Sequence, residues 1–367
     1  MISPAVVPPL ALWGGTATPI HTRALAGHRN NFTLLRLALA GCVVCVHLYT
    51  LSRSPYLKYL GYLDADLAVN AFFVLSGYLV TQSYLSSQDL TQYGVKRIRR
   101  LYPAYALSVL MSVVIGTFLT TAPLATYLRD TVVRFIPAQL LFLTFLRPNL
   151  TGVFQHNPVS MVNGALWTIK IEIMFYIALP ALLWCLRKMG WASIGLVYAG
   201  SVAYRMILLS VSVRSGSVLY NDLGRQLPGQ LCFFVSGVFM FYNWSTMERR
   251  KHVCAALATL AAVIAHQVPV LFFLEPAAMA VLIVYLGRGV PYLSILSRLG
   301  DFSYGLYVLH FPIIQTLVAL GLFRALPVAG AIFAAGIALA CAMLSWRYIE
   351  SPFLLGSERR RLLRKER

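Results

Sequence analysis

Two ionisable side chains, Arg36 and His47, lie inside the apolar run LLRLALAGCVVCVHLYTL, residues 34–51. A charged side chain at the centre of a membrane helix costs about 2.5–3.5 kcal/mol on insertion scales, so such residues usually face a cavity or partners and mark a functional site. The spacing of eleven residues places both side chains on one face of a straight helix, roughly 16 Å apart along its axis. We therefore interpret Arg36 and His47 as candidate functional residues.

A second candidate is the basic stretch KRIRRLYPAY, residues 96–105, in which Arg97 and Arg100 are three positions apart. Arginine binds phosphate with two parallel hydrogen bonds, and a helix start adds free N–H groups, so the stretch suits an anion site. The same residues also suit an ordinary cytoplasmic anchor, with Pro103 opening the next helix. The residues alone do not favour either interpretation.

The stretch GALWTIKIEIMFYIALP, residues 164–180, carries Lys170 and Glu172 inside another apolar run. Residues two positions apart do not share a helix face, so these two are not expected to pair with each other. A carboxylate within a span and without a paired cation is a functional candidate. Ser76, in AFFVLSGYLV, is instead more typical of close helix contact through small residues.

The stretch GDFSYGLYVLHFPIIQ, residues 300–315, places Ser303, Tyr307 and His310 along one helical stripe at positions i, i+4 and i+7. A single histidine in such a run is more often a packed core residue. A second intramembrane histidine, on a face that also carries two hydroxyl groups, increases the weight of a functional role.

The elements that must position these residues are membrane helices. Of the 367 residues 59% are hydrophobic and only 12% are charged, which predicts an all-α, polytopic membrane protein. The basic residues cluster in short loops between apolar runs, which excludes nucleic-acid binding as their purpose and predicts that both termini are cytoplasmic. The run at 131–146 is short and is not expected to cross. We predict about ten spans, at residues 32–51, 65–86, 101–121, 164–186, 191–213, 227–243, 252–270, 271–287, 302–322 and 325–349.

The domain organisation is predicted to be one membrane domain, residues 31–353, between a cytoplasmic leader at 1–30 and a basic cytoplasmic tail at 354–367. The six cysteines lie in or beside apolar runs and are interpreted as small packing residues, with no metal site.

The order of these motifs, ending in YIESPF, resembles the membrane acyltransferase-3 family over about residues 30–353. Arg36 and His47 match its Arg-x10-His motif, Arg97, Arg100 and Pro103 match R-x-x-R-x-x-P, and Glu172 matches its span carboxylate. The chain departs from the family at Asn70, where an acidic residue often precedes the double phenylalanine, which puts a carboxylate role there in doubt.

The resemblance implies transfer of an acyl group, usually acetyl, from cytoplasmic acetyl-CoA to a hydroxyl of an envelope or exported polysaccharide or glycolipid. It implies a multipass protein of the bacterial inner membrane whose partners are acyl-CoA, a carbohydrate acceptor and lipids. His47 is the expected general base or acyl relay, with Arg36 assisting and Glu172 orienting the imidazole. Acyl-CoA is expected to bind at Arg97, Arg100, Ser76, Ser303, Tyr307 and His310.

The acceptor is expected to meet the outer segment 122–163, although the same composition suits any interfacial loop. A transporter or flippase of a polysaccharide precursor is the alternative function, because it would also bury charges along a central path.

Overall fold

The computed structural model describes residues 30–293 and 300–354, which form helices and no strands. The predicted leader and basic tail lie almost wholly outside these residues. The α-helices, in chain order, are α1 (Phe32–Ser52), α2 (Ala65–Leu85), α3 (Leu90–Leu119), α4 (Leu124–Asp130), α5 (Ile136–Leu140), α6 (Trp167–Met189), α7 (Trp191–Ser215), α8 (Val218–Gly224), α9 (Leu227–Met247), α10 (Lys251–Gln267), α11 (Glu275–Val284), α12 (Ser303–Ala319), α13 (Leu322–Ala325) and α14 (Pro327–Ser345).

Seven helical stretches in the described part are long and apolar enough to cross a membrane. The prediction of an all-α, polytopic membrane protein is therefore confirmed, while the count of ten spans and the side of the termini stay predictions. The seven stretches are Phe32–Ser52, Pro55–Leu85, Leu90–Leu119, Gly164–Met189, Trp191–Ser215, Pro269–Gly289 and Pro327–Leu354.

Helix α3 begins eleven residues earlier than the span predicted at 101–121. Asp89 caps its first turn by accepting a 2.6 Å hydrogen bond from the backbone N–H of Gln92. Arg97 and Arg100 consequently lie inside a helix, and Pro103 is an interior proline rather than the residue that opens it. The prediction of an anion site at a helix start is wrong in that respect, so anion binding there depends on the guanidinium groups alone.

Helix α12 lies at the centre of the bundle although it is only 17 residues long. Every residue from Ser303 to Gln315 is buried, because α1, α3 and α14 pack around it. A helix that is buried on all sides positions polar side chains against neighbouring helices and not against lipid. Its first turn and its eighth residue, His310, both take part in the site described below.

Helices α2 and α9 cross at two glycines, each from a similar motif, FFVLSG and FFVSG. A Cβ atom on Gly77 would overlap the backbone carbonyl of Phe234, and one on Gly237 would overlap that of Val74. Small residues therefore bring the two backbones into direct contact, which is how membrane helices gain packing energy. The motif around Ser76 thus has the structural role that its composition favoured.

Residues 124–163 fold as a hairpin beside α3. Tyr127 in α4 donates a 2.7 Å hydrogen bond to the carbonyl of Val113, and Tyr105 donates one of 2.7 Å to the carbonyl of Gln139 near the end of α5. The chain then returns, and the N–H of Thr121 reaches the carbonyl of Gly152 at 3.0 Å. The chain therefore runs along α3 and returns by Gly152 to the end where it started, while the absence of a crossing at 131–146 stays a prediction.

Candidate functional site

Asp301 joins two of the predicted arginines. One carboxylate oxygen, Oδ2, lies 2.7 Å from Nη2 of Arg36 and 2.6 Å from Nη2 of Arg100, while the other accepts a 2.6 Å hydrogen bond from Ser303. Burial alone would raise the pKa of Asp301, but the two guanidinium groups and Ser303 outweigh it and hold that pKa at about 2. Asp301 precedes the first turn of α12 and fixes that helix against α1 and α3.

A cavity of about 100 Å³, named the arginine cavity, is lined by both arginines of this ion pair. Helices α1, α2, α3, α6 and α12 contribute its walls. Its polar lining residues are Arg36, Ser76, Arg97, Arg100, Thr168, Glu172, Tyr176, Ser303, Tyr304 and Tyr307.

Four buried polar atoms of this lining have no hydrogen-bond partner within the part of the chain that the structure describes. They are Nε of Arg36, Nε of Arg97, Oγ of Ser76 and the hydroxyl of Tyr304. A buried polar atom without a partner costs roughly 1–3 kcal/mol, so four of them around one cavity indicate that water or a polar ligand pairs with them there.

Arg97 differs from the other two arginines because no carboxylate neutralises it among the described ion pairs. Its Nη2 donates a 2.8 Å hydrogen bond to Ser83, and its guanidinium lies 5.6 Å from the centroid of the Tyr176 ring. Arg97 is therefore the cation of this cavity with the most capacity for an anionic ligand.

Glu172 lies in the arginine cavity and accepts a short hydrogen bond from the hydroxyl of Tyr176. The expectation that Glu172 orients the imidazole of His47 is not met, because the hydrogen bonds of the described residues do not join them. The reason is the helix period: Glu172 points from α6 toward α2 and α3, whereas His47 faces α12.

His310, and not Glu172, is the residue that contacts the imidazole of His47. Its Nε2 lies 2.7 Å from Nδ1 of His47, and the two rings are stacked at a centroid distance of 5.0 Å. Nδ1 of His310 lies 3.0 Å from the carbonyl oxygen of Leu306. Both ring nitrogens of this fully buried histidine are thus engaged within the protein, and the contact with His47 is one that the sequence did not predict.

The hydrogen bonds assign the tautomers of the two histidines, which we infer from the network. A carbonyl oxygen only accepts, so Nδ1 of a neutral His310 carries the proton and its Nε2 is an acceptor. Nδ1 of His47 must then donate to that acceptor, which leaves Nε2 of His47 with a free lone pair. This arrangement makes His47 competent as a base.

A second and larger cavity, named the histidine cavity, has a volume of about 530 Å³ and is lined by His47. It lies on the side of the bundle where the hairpin 124–163 folds back. Its lining includes amides, aromatic rings and charged groups, namely Gln139, Asn163 and Gln226, Phe145, Trp167 and Phe311, and Lys170, Asp222 and Arg225.

Helix α6 separates the two cavities. Thr168 and Glu172 line the arginine cavity, whereas Trp167 and Lys170 line the histidine cavity. Lys170 and Glu172 therefore lie on different faces, as their spacing predicts. A 2.8 Å hydrogen bond between the hydroxyls of Thr168 and Tyr307 closes the partition beside the histidine pair.

Arg36 and His47 both face the segment 301–310, Arg36 through Asp301 and His47 through His310. The shared face that their spacing predicts is thus observed, with each residue beside a different cavity. Ser76, Ser303 and Tyr307 line the arginine cavity with Arg97 and Arg100.

Sequence reasoning missed Asp301, which stands in the same stretch as Ser303 and His310. One signal was present: the chain has only 12 acidic residues for 31 basic ones, and an acid at the start of a span next to buried arginines is an obvious partner.

Together these features define a multipass helical membrane protein with a cationic cavity and a polar cavity, which are separated by a partition beside a histidine pair. The chain belongs to the acyltransferase-3 family, whose model, described as an acyltransferase domain, matches residues 29–347.

Three relatives match most of this chain, and two of them are named as O-acetyltransferases. The chain is 28% identical over 360 residues to nodulation protein 10 of Rhizobium leguminosarum bv. viciae, covering 89% of this chain and 94% of the relative. It is 25% identical over 365 residues to the O-acetyl transferase of Shigella phage Sf6, covering 90% and 98%. It is 26% identical over 323 residues to peptidoglycan O-acetyltransferase OatA of Listeria monocytogenes, covering 78% of this chain and 51% of that protein. No solved structure matches the chain. The protein is thus a membrane O-acyltransferase.

Proposed function

We propose that this enzyme is an O-acetyltransferase of the bacterial inner membrane that takes acetyl from acetyl-CoA at the arginine cavity. It transfers that acetyl to a hydroxyl of an envelope carbohydrate in the histidine cavity, once the thioester end of the donor has passed the Thr168–Tyr307 contact that separates the two cavities. The observation that carries the proposal is the position of His47, whose Nδ1 is held by His310 while the residue lines the larger cavity. The names of two relatives, an O-acetyl transferase and a peptidoglycan O-acetyltransferase, support acetyl as the group transferred.

The arginine cavity suits the donor substrate. Coenzyme A carries phosphates and a narrow arm with amide and hydroxyl groups. Arg97 and Arg100, which line the cavity, provide planar donors for the phosphates. Ser76 and Tyr304 offer unpaired polar atoms along the wall to match that arm. The volume of about 100 Å³ is too small for a nucleotide, so the nucleotide would remain outside.

The histidine pair suits general base catalysis. Nε2 of His47 accepts the proton of the acceptor hydroxyl while the hydroxyl oxygen attacks the thioester carbonyl carbon. The C–S bond breaks, an ester C–O bond forms, and the imidazolium returns the proton to the sulfur of coenzyme A. His310 stabilises the imidazolium by accepting the hydrogen bond from Nδ1. Attack by Nε2 itself on the thioester would give an acyl-histidine first, with the same overall balance.

The histidine cavity suits a carbohydrate acceptor. Its volume of about 530 Å³ lies within the range of roughly 300–1,000 Å³ that is usual for small-molecule sites. The rings of Trp167 and Phe145 offer apolar faces, and Gln139, Asn163 and Gln226 offer amides that can pair with hydroxyl groups. The cavity thus combines stacking surfaces with donors and acceptors.

The test uses purified full-length protein in lipid nanodiscs with acetyl-CoA and the envelope glycan isolated from a strain that lacks the gene. We expect release of free coenzyme A thiol that depends on the glycan, together with acetyl esters on that glycan. His47→Ala should abolish both and leave the protein correctly inserted. Thiol release without the glycan would contradict the proposal. So would a glycan that reaches the cell surface only when the gene is present but has the same ester content with and without the gene. The latter result would favour a transporter.

A further inference from the structure

Lys170 is a cation in the wall of the histidine cavity that no part of the proposed mechanism uses. It lies within the first turns of α6, inside a membrane-spanning stretch, and is half-buried. Its Nζ donates a 2.8 Å hydrogen bond to Oε1 of Gln226 and lies 4.9 Å from the centroid of the Phe145 ring. Neither partner is negatively charged.

The other charged groups of this cavity do not compensate Lys170. Arg225 forms an ion pair with Asp66, and its guanidinium covers the Trp167 ring at 4.8 Å. Asp222 lines the cavity but is exposed, and the ion pairs found among residues 30–293 and 300–354 do not include Lys170. Because a charge within a span is costly unless it has a partner or a function, the missing counter-charge calls for an explanation.

The geometry of Lys170 suits an anionic ligand. An ammonium group has three N–H donors, of which Gln226 takes one, so two remain for a ligand in the cavity. Trp167 lies three positions earlier on the same helix and lines the same cavity, so an aromatic ring, which Arg225 covers on one face, stands beside the cation. A ring with an attached negative charge matches both features, whereas a neutral sugar would cover the ammonium without compensating it.

We propose that the acceptor carries a negatively charged group, a carboxylate on the sugar or a phosphate next to it, which Lys170 binds while a hydroxyl faces His47. The inference rests on the proposed carbohydrate O-acetylation and names the class of its acceptor. Lys170 acts by binding the substrate and not by moving a proton.

The experiment uses full-length protein in nanodiscs, acetyl-CoA, and the glycan fraction of a strain that lacks the gene. The fraction is used in three forms: untreated, methyl-esterified at its carboxylates, and cleaved at its phosphodiesters with cold hydrofluoric acid. Wild type, Lys170→Met, Lys170→Arg and Lys188→Met are compared by the amount of acetyl transferred. Lys188 is an exposed lysine at the other end of α6, so its variant removes the same charge outside the cavity.

We expect one of the two treatments to raise the KM of the wild-type enzyme for the glycan by about tenfold or more, since a charge-assisted hydrogen bond is lost. Loss on esterification identifies a carboxylate, and loss on phosphodiester cleavage identifies a phosphate. Lys170→Met should show the same high KM with untreated glycan, and the treatment should not raise that KM further. Its kcat should change little. Lys170→Arg and Lys188→Met should resemble wild type.

Equal KM values of the wild type for all three forms would overturn the proposal, as would a Lys170→Met enzyme that still distinguishes them. A fall in kcat with every form would also overturn it, because Lys170 would then act on the reacting groups. Failure of the wild type to acetylate any form would instead refute the O-acetylation on which the inference rests.

Discussion

Nδ1 of His47 and Nε2 of His310 lie 2.7 Å apart, although 263 positions separate the two residues in the chain. Helix α1 brings one ring and the buried helix α12 brings the other. The carbonyl of Leu306 fixes His310, and His310 in turn fixes His47, so the free lone pair of His47 is a consequence of the fold. A carboxylate in the same position would make His47 more basic, whereas a neutral imidazole orients it without adding a charge to the membrane interior.

Replacing His310 by alanine should lower kcat by about 100-fold and leave the KM for acetyl-CoA nearly unchanged, because His47 loses the acceptor that orients it but keeps its place in the cavity. Replacing His310 by glutamine should restore part of the activity, since its side-chain oxygen can accept the same hydrogen bond. Steady-state kinetics at saturating acceptor measures both constants. Equal activity of the alanine and glutamine variants would show that His310 only fills space.

Asp301→Asn should destabilise the protein, because Arg36 and Arg100 would share a buried position without a counter-charge. Removing one partner of a buried ion pair costs about 3–5 kcal/mol, and we expect about 3 kcal/mol here because asparagine still accepts hydrogen bonds. Thermal unfolding in nanodiscs, compared with the milder variant Ser303→Ala, measures the effect.

The pH dependence follows from the pKa of Asp301, which is lowered from 3.8 to about 2. A carboxyl group whose pKa is lower in the folded state contributes its full stabilisation above the ordinary pKa and loses it as the pH falls toward the folded-state value. The stability difference between wild type and Asp301→Asn should therefore stay constant between about pH 5 and pH 8. A difference that shrinks across this window would contradict the ion-pair account.

Arg97→Ala should weaken acetyl-CoA binding by about tenfold or more with little loss of stability, because Arg97 donates to the Ser83 hydroxyl and takes part in none of the ion pairs found among the described residues. Arg100→Ala should weaken binding and also destabilise the protein, since it removes one of the two partners of Asp301. Isothermal titration with acetyl-CoA and thermal unfolding separate the two effects. Unchanged affinity for acetyl-CoA in both variants would show that Arg97 and Arg100 act only as membrane anchors.

Local spacing predicted several features of this site and missed others for a physical reason. The shared face of Arg36 and His47, and the separate faces of Lys170 and Glu172, follow from the helix period alone. The contacts of Asp301 and His310 do not, because they join α12 to helices about 200 or more positions away, and no local pattern encodes which long-range neighbours meet. The early start of α3 was missed because its first turns are polar, although Asp89 is a typical capping residue.

The hairpin makes a prediction about membrane topology. Thr151 donates a 2.7 Å hydrogen bond to Asp130, so the two ends of the segment 131–146 lie side by side. In a protein whose six native cysteines are replaced by serine, single cysteines at Arg129 and Gln155 should both react with an impermeant thiol reagent added to the same side of the membrane. A cysteine at Gln88, in the exposed connection between α2 and α3, is the control, because one complete crossing by α3 should make it react only from the opposite side. If the cysteines at Arg129 and Gln155 reacted from different sides, the segment would cross, and the predicted orientation of every later helix would be reversed.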